Sequence, residues 1–252
     1  MTDREPLRVT ADHVKGREPP QRIRRIYKAV RVGEDGGAYR LLLDGKPART
    51  PSKLVLETPH RALMEAVAAE WDAQEEHIHP ERMPMTRLLA TAIDRIAGHQ
   101  DTVVAALMTH IHADLLCYRA DHPPALAQRQ RAAWQPVLDW IEAVHGFELT
   151  PVEGVMPQEQ SPDAVAAMEG AIRALETYRL TAFQAAASAA GSLALALALV
   201  HGRITAAQAF AAATLDEAFQ VETWGDDPLA RERRDGLERD IAAAGTFLRL
   251  IG

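Results

Sequence analysis

Five carboxylates and no base fall between Leu215 and Pro228, at Asp216, Glu217, Glu222, Asp226 and Asp227, with Phe219, Val221 and Trp224 set among them. Carboxylates in such company can serve as catalytic acids or recognise an incoming arginine or lysine. On a single helix from about Thr205 to Trp224, a step of roughly 100° per residue puts Phe210, Thr214, Glu217, Val221 and Trp224 on one stripe. Glu217 then lies in a mostly apolar face, where a carboxylate is either paired with an arginine of the same fold or held for a partner.

Other reactive side chains are less well placed. His110, His112, Asp114 and Cys117 fall in a stretch that reads as helix, where residues two apart point in opposite directions and cannot share an ion. Cys117 there packs as a small hydrophobe. His77 and His79 lie in a connector, and an extended backbone would put both on one side, but no third ligand is evident beside them. The chain has no phosphate loop, dinucleotide fingerprint, nucleophile elbow or HExxH helix, so hydrolase and transferase chemistry has no motif behind it. A metal-dependent enzyme using His77 and His79 or Cys117 is the alternative to a binding protein. The basic run Arg22, Arg24, Arg25, Lys28 and Arg31 reads as a solvated face.

With 252 residues, 47% of them hydrophobic, the chain can bury a substantial core without staples. One cysteine rules out an intramolecular disulfide framework, and a formal net charge of -7 argues against a general nucleic-acid binder. Bases near the start are interrupted by Asp3, Glu5, Asp12 and Glu18, so neither a secretory signal nor a transit peptide is expected.

The elements that must position these residues divide into an α+β part and a helical part. Residues 1–21 read as a mobile arm, 22–98 as a small antiparallel sheet domain with helices, and 99–252 as a larger helical bundle. Period-two alternation from Ile26 to Val32 predicts a strand before the turn at Gly33–Gly37. A second strand, Ala38 to Leu43, ends in the hairpin signal Asp44-Gly45. Lys46 to Thr50 and Leu54 to Leu56 supply two more strands, confined to edges by Pro47 and Pro51. Thr58-Pro59 reads as a helix start, and a second helix begins near Met85.

Asp101 is expected to cap a helix continuing through Ile111 and Leu115 to Tyr118. The next helix, Ala125 to His145, contains Pro136 and should kink or divide there. Phe147 to Pro157 reads as an extended linker. Ser161-Pro162 and Asp227-Pro228 are cap-and-proline helix starts, the second opening a final amphipathic helix carrying Leu237, Ile241, Ala244, Leu248 and Ile251. Leu180 to Val200 carries no charge over a membrane-length span. Its alanine-rich first half drives insertion weakly, so it is expected to form the central helix of a bundle without stable membrane insertion.

A set of short strings, in order, resembles a known family: Arg24-Arg-Ile-Tyr-Lys28, Leu43-Asp-Gly-Lys-Pro47, Glu70-Trp-Asp-Ala-Gln74, Met83-Pro-Met-Thr-Arg-Leu88, Ala92-Ile-Asp-Arg95, Asp114-Leu-Leu-Cys-Tyr-Arg119, Leu138-Asp-Trp140, Gly154-Val-Met-Pro157 and Glu222-Thr-Trp-Gly225. Together they resemble the F-type ATP synthase assembly chaperones that bind the free alpha subunit of the catalytic sector. Two strings depart from the pattern, Arg25-Ile26-Tyr27 and Ala190-Gly-Ser192, both away from the acidic stretch.

The resemblance implies a protein without catalysis or cofactor that shields the alpha subunit until the beta subunit replaces it. With no transit peptide visible, it implies a bacterial cytoplasmic member, where relatives occupy the mitochondrial matrix. It also places the family's functional acid in the segment matching Glu217 to Gly225, at Glu217 or Glu222. A holding chaperone needs an exposed apolar patch with polar groups that set register. The partner-binding residues expected here are Glu217, Glu222 and Trp224, with Phe219 and Asp226 beside them.

Overall fold

The computed structural model describes residues 23–154, 156 and 158–252. The expected arm at 1–21 lies outside them. The fold is α+β, with a small antiparallel sheet and its helices followed by a mostly helical remainder that, against the expectation of an all-helical bundle, also holds one short pair of parallel strands.

Strand β1 (Val30–Asp35) turns at Gly36 and Gly37, both at positive φ, into β2 (Ala38–Leu43), in register from Val30↔Leu43 to Asp35↔Ala38. Asp44 and Gly45 make the predicted two-residue turn at φ 48° and 79°, leading into β3 (Lys46–Pro47). Strand β4 (Glu57–Thr58) returns to pair with β2. The strand predicted from Ile26 begins later, because residues 23–27 pair elsewhere. Ile78 N donates to Ile23 O at 2.8 Å and Arg25 N to Glu76 O at 2.9 Å. The Arg25 guanidinium then collects the carbonyls of Tyr27, Asp72 and Gln74. Tyr27 is turned inward, its hydroxyl donating to Trp71 O at 2.7 Å, whereas Ile26 is 90% exposed.

Helix α1 (Arg61–Asp72) starts later than Thr58-Pro59 suggests, because Thr58 is buried in β4 and His60 takes the capping position. Helix α2 (Pro84–Thr91) runs into one π turn, Ala92–Ile96, and stops at Gly98, φ 77°. Asp101 does not cap α3 (Gln100–Met108); it lies in the first turn and pairs with Arg173, and His99 precedes the helix. The helix expected to reach Tyr118 ends at Met108. Beyond it come two 3₁₀ turns, Ile111–Ala113 and Leu115–Cys117, and then β5 (Tyr118–Arg119).

Asp114 causes that break. Its carboxylate accepts from Leu116 N at 3.0 Å, from Ser192 Oγ at 2.8 Å and from Ala194 N at 3.0 Å, tying this loop to a distant part of the chain. A helix continued through residue 114 would not leave the carboxylate in that place.

Helix α4 (Pro124–His145) passes through Pro136 as one element and ends at Gly146, φ 74°. Burial of Trp134, Val137, Leu138 and Ile141 holds the two halves in one register despite the lost backbone bond. The stretch expected as linker contributes β6 (Val152–Glu153), parallel to β5. In α5 (Pro162–Arg173), Ser161 Oγ accepts from Ala164 N at 3.1 Å, as its sequence predicts.

The uncharged run forms two helices, α6 (Thr177–Ala190) and α7 (Leu193–Val200), separated by Gly191 at φ 64°. Every residue of α7 is buried. Among the described residues no helix is long and apolar enough to cross a membrane.

Helix α8 (Ala206–Ala213) opens on a Thr205/Gln208 capping box. After it come α9 (Leu215–Trp224) and α10 (Pro228–Ile251), the latter capped by Asp227 accepting from Ala230 N at 2.9 Å. Helix α10 runs back across the molecule, where a Cβ on Gly245 would lie 2.9 Å from Ala206 Cβ. It delivers Phe247 to the apolar cluster beneath the sheet, beside Leu41, Leu56, Leu63, Met64, Val67 and Ala182. The larger cluster is built on α7, α6 and α4.

At the end of α4, His145 and His201 meet edge to face at 5.0 Å, with Trp140 5.2 Å from His145. Both imidazoles are held below the usual histidine range, chiefly by burial. His201 charge adds to the effect on His145, and Arg179 to that on His201. The unfolded chain takes up these protons more readily, so their contribution to stability is complete above about pH 6.5 and is lost as pH falls toward the folded pKa values. We expect the melting midpoint to decrease between pH 7.5 and 5.5, and the decrease to be smaller in His145→Leu. Parallel pH profiles for the two proteins would contradict this.

Candidate partner-binding surface

The acidic stretch is not one helix with the segment before it. Thr214, at φ −109° and ψ 14°, separates α8 from α9 and returns its hydroxyl to Phe210 O at 2.9 Å. The predicted stripe of Phe210, Thr214, Glu217, Val221 and Trp224 is therefore not a continuous face. No residue of α9 is fully buried, unlike its neighbour α7.

The base of α9 is anchored from α4. Buried Gln130 donates to Asp216 Oδ1 at 2.7 Å and accepts from Ala120 N at 2.8 Å. Buried Trp134 holds the end of α8 just before α9, donating from Nε1 to Ala212 O at 3.0 Å. Farther along, the acids meet arginines of other helices. Glu217, with its side chain 27% exposed, pairs with Arg233 of α10 through Oε1, and its Oε2 is buried without a hydrogen-bond partner. Glu222 is more open and pairs with Arg129 of α4 at 2.7 Å. The same guanidinium lies over the Phe219 ring, 5.1 Å from its centroid. Asp226 pairs with Arg231 and Arg234, each at 2.6 Å, and the hydrogen bonds from Arg234 and Arg231 hold its carboxyl below the usual range.

The structure thus leaves each of these carboxylates paired with an arginine from within the fold, Glu217 and Asp226 toward α10 and Glu222, with Phe219, toward α4. The Arg129–Glu222 pair, about half exposed on both sides, contributes only about 0–1 kcal/mol and exchanges readily with competing charges, whereas Asp226 and Arg234 are much less exposed. Trp224 projects from the end of α9 and is 77% exposed. Across the turn at Gly225, Leu229 is 76% exposed, giving two large apolar side chains beside the acids. Leu229 was not among the residues expected from the sequence; it lies in the first turn of α10, directly after Pro228. The arginines had no local signal.

The remaining candidates lie apart from this stretch. His79 Nδ1 lies 2.9 Å from Glu81 Oε1, and His77 bridges Arg24 through the backbone. Cys117 is buried, and its thiol is pushed up to about 12 by burial and by Asp114, which leaves it protonated at neutral pH. Among the described residues no three His, Cys, Asp or Glu side chains gather as a metal site. An open groove of about 970 Å³ lies between α1, α2 and α10, floored by Ala66, Ala69, Ala73 and Ala243, and no residue of α9 lines it.

The described residues thus present a partly exposed acidic helix, with Trp224 and Leu229 exposed at its end, on an α+β scaffold. The family model described as ATP12 chaperone protein matches residues 24–142, and the chain belongs to this chaperone family. Atp12 from Paracoccus denitrificans is 36% identical and superposes with a TM-score of 0.85, covering 91% of this chain and 99% of that one. The Atu1473 protein of Agrobacterium tumefaciens is 42% identical with the same TM-score, covering 91% of this chain and 86% of its own. The mitochondrial protein atp12 of Schizosaccharomyces pombe is 22% identical over 246 residues, which is 92% of this chain and 84% of the yeast protein.

Proposed function

We propose that this chaperone binds the unassembled alpha subunit of the F-type ATP synthase catalytic sector and shields its interface until the beta subunit takes its place. Membership of the ATP12 chaperone family, with 36% identity to the Paracoccus protein over nearly its whole length, is the observation that carries this reading. It works as a binding protein without catalysis, in the cytoplasm of a bacterium; two of the similar solved proteins are bacterial.

The contact surface in this reading is the outer flank of α9 and the turn after it. Trp224 and Leu229 cover apolar surface on the client, while Glu222, Glu217 and Asp226 meet client arginine or lysine and set register. A half-exposed ion pair at Glu222 and exposed apolar side chains at Trp224 and Leu229 suit a hold that the beta subunit must later displace.

Two measurements test it. Co-purification from the native cell should recover the alpha subunit, and its absence would rule out this client. With purified alpha subunit, Trp224→Ala and Glu222→Gln should each weaken capture about tenfold, equivalent to about 1.4 kcal/mol. Glu217→Gln should have a smaller effect because its side chain is less accessible. Unchanged capture in all three folded variants would remove α9 from the contact surface.

A further inference from the structure

Resting on the reading of α9 as the client-binding helix, we propose that Arg129 is a placeholder, occupying in the free chaperone the position on Glu222 and Phe219 that a client arginine takes on binding. Three observations converge on it. The Arg129 guanidinium makes both contacts that an arginine ligand would seek here, an ion pair to Glu222 at 2.7 Å and a face-on position 5.1 Å over Phe219. Both partners of the ion pair remain about half exposed, 49% and 57%, so an incoming side chain can reach the carboxylate without unfolding anything.

The helix does not depend on this contact. Asp216 at its root is held by the bond from Gln130 and the end of α8 just before it by the bond from Trp134 to Ala212 O, both from residues of α4 that follow Arg129, and Glu217 near its start pairs with Arg233 of α10. Releasing Arg129 therefore frees a carboxylate and a ring face while leaving α9 in place.

The chemistry selects arginine over lysine in the partner. A planar guanidinium can lie over Phe219 and still direct its N–H groups at Glu222, whereas a compact ammonium satisfies one contact at the expense of the other. Trp224, one residue beyond Thr223 and 77% exposed, offers apolar surface to the segment carrying that arginine. Occupation by Arg129 also keeps Glu222 from taking up stray basic peptides, since each must first displace an internal partner.

The test is the affinity of the full-length chaperone for purified alpha subunit, compared among wild type, Arg129→Ala, Glu222→Gln and the double variant. Removing the placeholder should tighten binding about three- to tenfold, the range of an exposed ion pair with a cation–π contact. The gain should vanish when Glu222→Gln is also present, because both substitutions act on one contact. Arg129→Gln, which keeps most of the side-chain stem, should reproduce the gain if the alanine variant folds poorly. Weakened or unchanged binding in Arg129→Ala and Arg129→Gln, with Glu222→Gln still weakened, overturns the placeholder alone. Unchanged binding in all of them overturns it together with the assignment of α9.

Discussion

Replacing Asp114 with alanine is expected to destabilise the fold by about 3–5 kcal/mol, the cost of removing one partner from a fully buried, charged network. The carboxylate is 1% exposed and every contact to it is a donor: Leu116 N and Ser192 Oγ at Oδ1, Ala194 N at Oδ2. Burial pushes its pKa up, while the donors, among them the first N–H groups of α7, pull the other way. Alanine would strand these donors in a buried site and leave the 110–119 loop tied to the break between α6 and α7 only by the backbone bond from Leu115 N to Gly191 O. Ser192→Ala, which removes one donor and also the cap on Leu195 N, should cost less, about 1–2 kcal/mol. Urea unfolding of the two variants checks this. A midpoint for Asp114→Ala equal to that of the wild type would show that the network contributes nothing.

Glu70→Ala should cost about 2–3 kcal/mol, because Glu70 caps a helix to which it does not belong. Helix α2 begins at Pro84 with Met83 before it, and Met83 has no oxygen to offer the first N–H groups. Glu70, from α1, fills that role: it accepts from Met85 N at 2.7 Å and from Thr86 N at 2.8 Å and Thr86 Oγ1 at 2.7 Å. Burial raises its pKa, opposed by these hydrogen bonds. Glu70→Gln retains one acceptor oxygen and should fall between wild type and alanine. Thermal unfolding of Glu70→Ala indistinguishable from wild type would show that α2 starts unaided.

Several of the strings that carried the family resemblance hold a polar residue tied to a distant segment. Arg25 binds three carbonyls, Asp44 accepts from Lys28 N and Ala29 N, Glu70 caps α2, Asp94 accepts from Thr50 Oγ1 and Ser52 N, and Asp114 joins α7. Each is a polar tie between segments far apart in sequence. Read alone, Asp114 is one polar residue of a stretch that reads as helix and Glu70 one residue of a string that carries the resemblance, because nothing local shows what a long-range donor will do.

In the acidic stretch, the residue types were legible and their partners were not. The crowding of Asp216, Glu217, Glu222, Asp226 and Asp227 around Trp224 is a matter of composition. Arg129 lies 93 residues from Glu222, and Arg233 lies 16 from Glu217 on another helix. Helical periodicity set Glu217 on an apolar stripe, but Thr214 ends α8 and reorients the face, leaving Glu222 the more open of the two carboxylates.

What the amino-acid sequence determined by itself is whatever depends on a few neighbouring residues: the Asp44-Gly45 turn, the Ser161 and Asp227 caps, the stop at Gly146 and the apolar character of α7. Backbone sterics and local hydrogen bonds act over three or four residues, so those signals survive without context. Tertiary structure alone decided where the long helical patterns break, at residues 108–114, 191 and 214, and which carboxylates are buried, paired or open. Those outcomes depend on donors and packing surfaces brought from elsewhere in the chain, and a buried charge is stable only where such partners arrive.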